Sequence, residues 1–294
     1  MEFYASAGRG GRNGGGVIVH WLSFGFAQED LLICQLKKLL LMKQVFFITL
    51  ILFCTCCSAK AQYTTAGKIE YERKMNVFAQ IADWKDDDDD GSESEWITNY
   101  KATNPQFRNY FFDLYFNGTK TIYKPGQEVE ANNKWALGEG PAKDNIVLSD
   151  FATRQVKAVK MVYEQKFLVQ DSLRKIDWKE KDELRTIANY KCHKAVGKIC
   201  DSVYVVAFYT EDIPTSGGPE MFGGLPGMIL ELAIPRLHTT WTATKIELTA
   251  PKETDFAISE KGKKVKEKEL YETIQSSLKS WGKWATKNIW WTIL

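Results

Sequence analysis

Phe107-Arg108-Asn109-Tyr110-Phe111-Phe112-Asp113-Leu114-Tyr115-Phe116-Asn117-Gly118-Thr119-Lys120-Thr121-Ile122-Tyr123-Lys124 decides the fold class. Side chains of a strand point alternately to its two faces, so a period of two separates a core face from a wetter one. Asn117-Gly118 is the strongest two-residue hairpin signal, because a tight turn needs positive φ at its centre. With that pair at the centre, Phe116 faces Thr119, Leu114 faces Thr121 and Phe112 faces Tyr123 on one side. Phe111, Asp113 and Tyr115 lie on the other side, against Lys120, Ile122 and Lys124. One face reads as core and the other as half-wet, the pattern of an antiparallel sheet covered on one side.

Working outward, short β-rich runs recur between turn signals. Gly67–Tyr71 starts the first strand, and Trp96–Ala102 resumes extended structure. After a Gly/Pro-containing loop over 124–142, Val156–Val169 and Leu173–Trp178 are β-branched and aromatic, and Lys179–Leu184 is a charged break. Tyr190–Ile199, Val203–Thr210 and Thr239–Thr249 read as strands. Met228–Ile234 is so continuously apolar that burial on both faces is expected. The tail changes period. Leu270, Ile274, Leu278 and Trp281 form one stripe of an amphipathic helix over 263–283, with Trp284, Trp290 and Trp291 beyond it. The stripe covers the sheet, or the tryptophans meet a membrane interface or partner. The expected fold is mainly β, a curved antiparallel sheet or half-open barrel with a C-terminal helix.

Of the 294 residues, 39 are Lys or Arg and 37 Asp or Glu, a net charge of +2. That balance excludes nucleic-acid binding driven by bulk charge. With 44% hydrophobic and 13% aromatic residues, a disordered chain is excluded too. Met42-Lys43, the apolar run Val45–Phe53 and Ala59-Lys60-Ala61 before Gln62 have the order of a secretory signal peptide. The run falls short of the roughly 20 apolar residues of a membrane span. Residues 1–41, with a Gly/Arg tract over 8–16 and an aperiodic apolar patch over 17–26, read as a spurious N-terminal extension. Residues 42–61 are then the signal and residues 62–294 one β-rich domain in the periplasm or outside the cell. Cys54, Cys56 and Cys57 raise the alternative of an outer-membrane lipoprotein. Each lacks the small residue before it and the Leu three positions back that lipidation requires.

Residues able to carry chemistry are few. Asp86, Asp88, Asp90 and Gly91 match the opening of a calcium-binding EF-hand loop, but Ile97 stands where the closing bidentate Glu belongs, so a solvated acidic loop is favoured. Cys192-His193 on a strand point to opposite faces and cannot form a dyad with each other. Two Cys and two His beyond the leader, at these spacings, make no zinc site, and no metal or cofactor is expected. Cys192 and Cys200 pair if Ala195-Val196-Gly197 is a turn. They lie about 26 Å apart at ~3.3 Å per residue if the strand runs through to Cys200-Asp201-Ser202. Glu211-Asp212 is the nearest approach to a hydrolase's acid–base pair, and neighbouring strand side chains diverge.

Between two strands lies a long loop pinned by Pro214, Gly218, Pro219, Phe222, Gly224, Leu225, Pro226 and Gly227. It has neither GxGxxG nor GxxxxGK[ST], so it is no phosphate cradle. Pro226-Gly227 fits a type II turn with positive φ at Gly227. Loops of this length are either packed or functional.

Phe222–Leu232, with Thr210, Ile213, Pro214, Gly218 and Pro219, resembles the signature of the GLPGLI family of secreted proteins from Gram-negative bacteria. The name-giving hexapeptide stands as Gly224-Leu225-Pro226-Gly227-Met228-Ile229. Gly67-x-Ile69-x-Tyr71-Glu72, Phe112-x-Leu114-x-Phe116-Asn117, Asp171-x-Leu173 before Trp178, and Tyr190–Ala195 agree with it. Phe208 replaces the family's usual Trp. The resemblance implies an exported protein of unknown function, often encoded beside TonB-dependent outer-membrane receptors, with no catalytic residues to carry over. In the family pattern the strand after Cys192 runs on, which points to a turn at Cys200 and against the disulfide. The expectation is a cell-envelope protein binding an apolar ligand or an outer-membrane partner. A secreted hydrolase using Asp/Glu and a structural envelope protein are the alternatives.

Overall fold

A computed structural model describes residues 33–49, 65–83, 94–127, 142–200 and 202–294. The chain divides into two units, Met1–Gln62 and Tyr63–Leu294. In the first, residues 33–49 form helix α1 with exposed side chains, running through Met42-Lys43 into the apolar stretch. Among the described residues, no helix is long and apolar enough to cross a membrane. The expected cleavage site of a signal peptide, the greater part of residues 1–41 and the acidic run with Asp86, Asp88 and Asp90 lie outside the described residues.

The second unit is built on one sheet of twelve strands. They are β1 (Gly67–Asn76), β2 (Phe107–Phe116), β3 (Lys120–Pro125), β4 (Ile146–Asp150), β5 (Gln155–Val162), β6 (Gln165–Ser172), β7 (Lys179–Ile187), β8 (Tyr190–Ile199), β9 (Val203–Thr210), β10 (Met228–Ile234), β11 (Thr239–Glu247) and β12 (Lys263–Val265). Helices α2 (Val77–Ala82) and α3 (Glu95–Thr103) follow β1, and α4 (Glu267–Ser277) and α5 (Lys283–Ile293) close the chain. The strand order is β12-β6-β5-β4-β3-β2-β1-β11-β10-β9-β8-β7. All neighbours are antiparallel except β12, which runs parallel to β6. The outermost strands β12 and β7 do not pair, so the mixed sheet is open.

The sheet is strongly curved, and α5 shows how far. Trp291 lies against Trp241 of β11, with ring centres 6.3 Å apart. The next residue, Thr292, accepts a hydrogen bond from Lys160 of β5 at 3.1 Å. On a flat sheet β11 and β5 would be about 24 Å apart at ~4.8 Å per strand. One helical turn reaches both because the sheet curls around it.

Several elements depart from the sequence-based expectation. The hairpin pairs Phe116 with Thr121 and Leu114 with Tyr123, two residues away from the expected register. Only Gly118 has positive φ there, +83°, which moves the turn centre to Gly118-Thr119. The Asn117 side chain accepts from the N–H groups of Thr119 and Lys120 at 3.2 and 2.9 Å. A two-residue slip keeps every side chain on its face, so Phe112, Leu114, Phe116 and Tyr123 are core as expected. Trp96–Ala102 is helical: Ser94 caps α3, and Ile97 and Tyr100 bury a helically spaced pair. Leu173–Trp178 is not a strand, whereas the charged Lys179–Leu184 opens β7, an edge strand whose exposed charges deter pairing with another chain.

Met228–Ile234 is β10, in the sheet interior and mostly buried as expected. The tail is two helices rather than one. In α4, Leu270 and Ile274, with Leu278 at its end, are buried, each stabilising by about 1.5–3 kcal/mol relative to exposure. Trp281 remains exposed. Gly282, at φ +57°, starts the turn into α5, whose Trp290 and Trp291 are buried.

Candidate functional site

The concave face carries charges where its parity calls for apolar side chains. On β1, Ile69, Tyr71, Arg73 and Met75 alternate inward and are all buried. On β5, Val156, Ala158 and Lys160 do the same. Arg73 and Lys160 are therefore interior cations, and Glu220 joins them from the loop between β9 and β10.

Arg73 sits in a cage of rings. Its guanidinium carbon lies 4.3 Å from the ring centre of Tyr110, 5.0 Å from Phe112, 5.4 Å from Trp291 and 5.9 Å from Trp241. Its Nη1 donates to the carbonyl of Ala142 at 3.3 Å and lies 4.0 Å from Glu220 Oε1. Asn145 Nδ2 donates to Glu220 Oε2 at 2.8 Å. Trp241 Nε1 donates to the Tyr123 hydroxyl at 3.1 Å. Beside α4, Arg174 donates from Nε to Glu267 Oε1 at 2.9 Å, with Nη2 2.6 Å from the same oxygen, and also to the carbonyl of Ile293.

Burial governs the protonation of these groups. It raises the Glu220 carboxyl against the opposing pull of Arg73 and Asn145. It lowers the Lys160 ammonium to about 8, with Arg174 adding repulsion. Among the described residues, Arg73 Nε and Nη2, Arg174 Nη1, Tyr110 Oη, Thr215 Oγ1 and Glu220 Oε1 are buried without a hydrogen-bond partner. Unmade bonds of this kind are costly, and they cluster here.

The long loop is a packed unit rather than an exposed one. Gly218, Pro219, Phe222, Leu225 and Gly227 are buried, while Pro214, Gly224 and Pro226 reach solvent. The Ser216 hydroxyl donates to the carbonyl of Leu225 at 2.6 Å, and Trp178 Nε1 donates to that of Gly223 at 2.9 Å. Positive φ falls on Gly224, +88°, and on Glu220, +53°, not on Gly227. The expected reason for Gly227 is thereby corrected. A Cβ there would stand 1.9 Å from the carbonyl oxygen of Thr210, so the loop needs glycine for close backbone approach. The left-handed turn at Glu220 aims its carboxyl into the cluster.

An open cleft of about 460 Å³ is lined by Asp171, Cys200, Glu267, Lys268, Tyr271 and Ile293. Asp171 also accepts the first N–H of α4, that of Glu267, at 3.1 Å. None of the loop residues singled out from the sequence lines this cleft. Arg174 connects it to the interior through its bonds to Glu267 and Ile293.

The other sequence candidates are separated from both places. Cys192 and Cys200 occupy one continuous strand and its end, so they cannot bridge each other. Cys192 is buried, with its thiol pushed up to about 12 by burial, and Cys200 is exposed. His193 faces the opposite way from Cys192 and lies against the ring of Tyr209. His238 Nε2 lies 2.6 Å from Asp83 Oδ2, which also pairs with Lys287 of α5. Burial would raise the Asp83 carboxyl, yet the Lys287 and His238 hydrogen bonds hold it below its usual range. Glu211 and Asp212 are exposed at the turn after β9. Among the described residues no three potential metal ligands converge.

The sequence reading missed Arg73, Asn145, Lys160, Arg174 and Glu220. For Arg73 and Lys160 a signal existed, since each stands in phase with the apolar members of its strand. Asn145, Arg174 and Glu220 lie outside regular elements, where no period marks the buried face.

Residues 197–231, from the end of β8 into β10, match a family model described as a protein of unknown function, Porph_ging. The match contains all eight residues of the pinned loop. No curated protein matches the chain. Among solved structures, PNGF-II resembles it in a C2 crystal form, with TM-score 0.44 and 15% identity over 76% of this chain and 32% of that one. In a P21 form the values are 0.43 and 17%, over 68% and 32%. An uncharacterized conserved protein from Thermus thermophilus gives TM-score 0.34 and 8% identity over 69% of this chain and 92% of that one. The chain thus spans about a third of the length of PNGF-II.

Proposed function

We propose that this is an exported cell-envelope protein of the GLPGLI type that binds an apolar ligand, or an apolar segment of an outer-membrane partner, within its curved sheet. One observation carries the reading: the concave face is filled by a short C-terminal helix reached through Gly282, instead of by strand side chains meeting across a closed barrel. An open sheet whose interior is occupied by a separate, short element can exchange that element for a ligand. The charge–hydrophobicity–cleavage order of residues 42–61 supports export. The Porph_ging match over the pinned loop supports the family assignment.

The test is purification of the native protein from the envelope fraction under non-denaturing conditions. N-terminal sequencing should begin at Gln62, and mass spectrometry of an organic extract, with cross-linking in parallel, should reveal a stoichiometric apolar compound or an outer-membrane protein. A chain beginning at Met1 would defeat the export reading. An empty extract without a cross-linked partner would defeat the binding reading.

A further inference from the structure

The last turn of α5 sits on a bed of cations. Lys160 donates its ammonium to the carbonyl of Thr292 at 3.1 Å, and Arg174 donates to that of Ile293. These belong to the last carbonyls of the helix, which have no partner within it and lie at its negative dipole end. Arg73 stacks on Trp291 in the same turn. Arg73 Nε and Nη2 and Arg174 Nη1 are buried with hydrogen bonds still unmade among the described residues. The carboxylates nearby are committed: Glu267 holds Arg174, Asp171 caps α4, and Glu220 takes the Asn145 bond while its other oxygen stays 4.0 Å from Arg73. Lys160 bonds a neutral carbonyl, and the Glu220 and Glu267 carboxylates act on it only through space.

Access to this seat is built in. Ile293, whose carbonyl Arg174 holds, also lines the 460 Å³ cleft. The Lys287–Asp83 ion pair anchors the helix nearly two turns before its end. The final turn lifts, with the rest of α5 attached, by breaking the bond that the Met221 N–H donates to the Leu294 carbonyl at 3.2 Å.

We propose that the seat of the last turn of α5 binds an amphiphile with an anionic head and an acyl tail, which takes the place of that turn. The head accepts the hydrogen bonds of Lys160 and Arg174, and fills the unmade ones of Arg174 and Arg73. The tail takes the volume vacated by Trp291, Ile293 and Leu294. A full negative charge is favoured over a carbonyl because charge-assisted hydrogen bonds are roughly twice as strong as neutral ones. This names the ligand class of the binding function proposed above and rests on that reading.

The experiment titrates cis-parinaric acid and, separately, its uncharged methyl ester into the full chain, following energy transfer from tryptophan. The acid should bind at least tenfold more tightly than the ester. Lys160→Met should bring the acid down to the ester's affinity and leave the ester unchanged. If that variant does not fold, the acid–ester comparison on the wild type decides alone. Equal affinities would overturn the anionic seat and leave an apolar-binding protein standing. Binding of neither probe would overturn the seat too, and the envelope extraction then judges the broader reading separately.

Discussion

The guanidinium of Arg73 rests 5.4 Å from the ring centre of Trp291, which ties the first strand of the sheet to the last helix of the chain. That contact places a cation in the interior beside one carboxyl, Glu220, at 4.0 Å. Removing one member of a buried pair leaves the other uncompensated, so Arg73→Ala should cost about 3–5 kcal/mol in urea denaturation. Glu220→Gln removes the stranded charge. The double variant should therefore lose at least about 1 kcal/mol less than the two single losses together, as residues in contact do. Strict additivity would show that the two groups do not interact.

Lys160 sets a pH dependence. Its folded-state value of about 8 lies below the roughly 10.4 of an unfolded chain. Between those values the unfolded state holds the proton more tightly, so stability rises with pH. The burial penalty is fully present below about pH 8 and gone above about pH 10.4. Relative to Lys160→Met, the wild type should gain on the order of 3 kcal/mol across that window. Parallel curves of stability against pH for the two proteins would contradict the buried ammonium.

Two glycines of the loop should fail for different reasons. Gly227→Ala drives a methyl into the Thr210 carbonyl at 1.9 Å, and overpacking of this severity should cost about 3 kcal/mol or more. Gly224→Ala meets nothing closer than 3.8 Å and incurs only the left-handed backbone penalty, about 1–2 kcal/mol. Chemical denaturation should rank them in that order. A reversed order would mean that φ, and not approach, governs the motif.

The two strand cysteines should differ in reactivity. A thiolate is the reacting species, and burial keeps Cys192 a thiol to about pH 12. Peptide mapping after iodoacetamide treatment of the native protein should find Cys200 alkylated and Cys192 unmodified until urea is added. Recovery of a Cys192–Cys200 disulfide peptide would contradict the continuous strand.

Much of the sheet is legible in the amino-acid order. The faces of β2 and β3 follow from it although their register differs by two, because Phe112, Leu114 and Phe116 obey a period of two that any even slip preserves. The charged run of β7 reads as a break for a physical reason. An edge strand is defined by what does not pair with it, and Lys179–Leu184 carry only their own charges to say so. Trp96–Ala102 reads as extended because its two buried residues, Ile97 and Tyr100, are too few to distinguish a helical period from a strand's. The site is less legible still. Arg73 and Lys160 are visible as charges in phase with core positions, but Glu220 comes from a loop, and loops have no period.

By itself, then, the amino-acid order determined β1, β2, β3, β8, β9, β10 and β11 and the glycine-dependent loop, since each is a local matter of alternation and of small side chains where backbones must meet. Only the tertiary structure decided that the sheet curls around α5, that Gly227 serves contact and not rotation, and that the interior holds Arg73, Lys160 and Glu220 together. The reason is distance along the chain. A buried charge is tolerable only beside its partners, and those partners come from strands, a loop and a terminal helix that nothing but the curvature of the fold brings side by side.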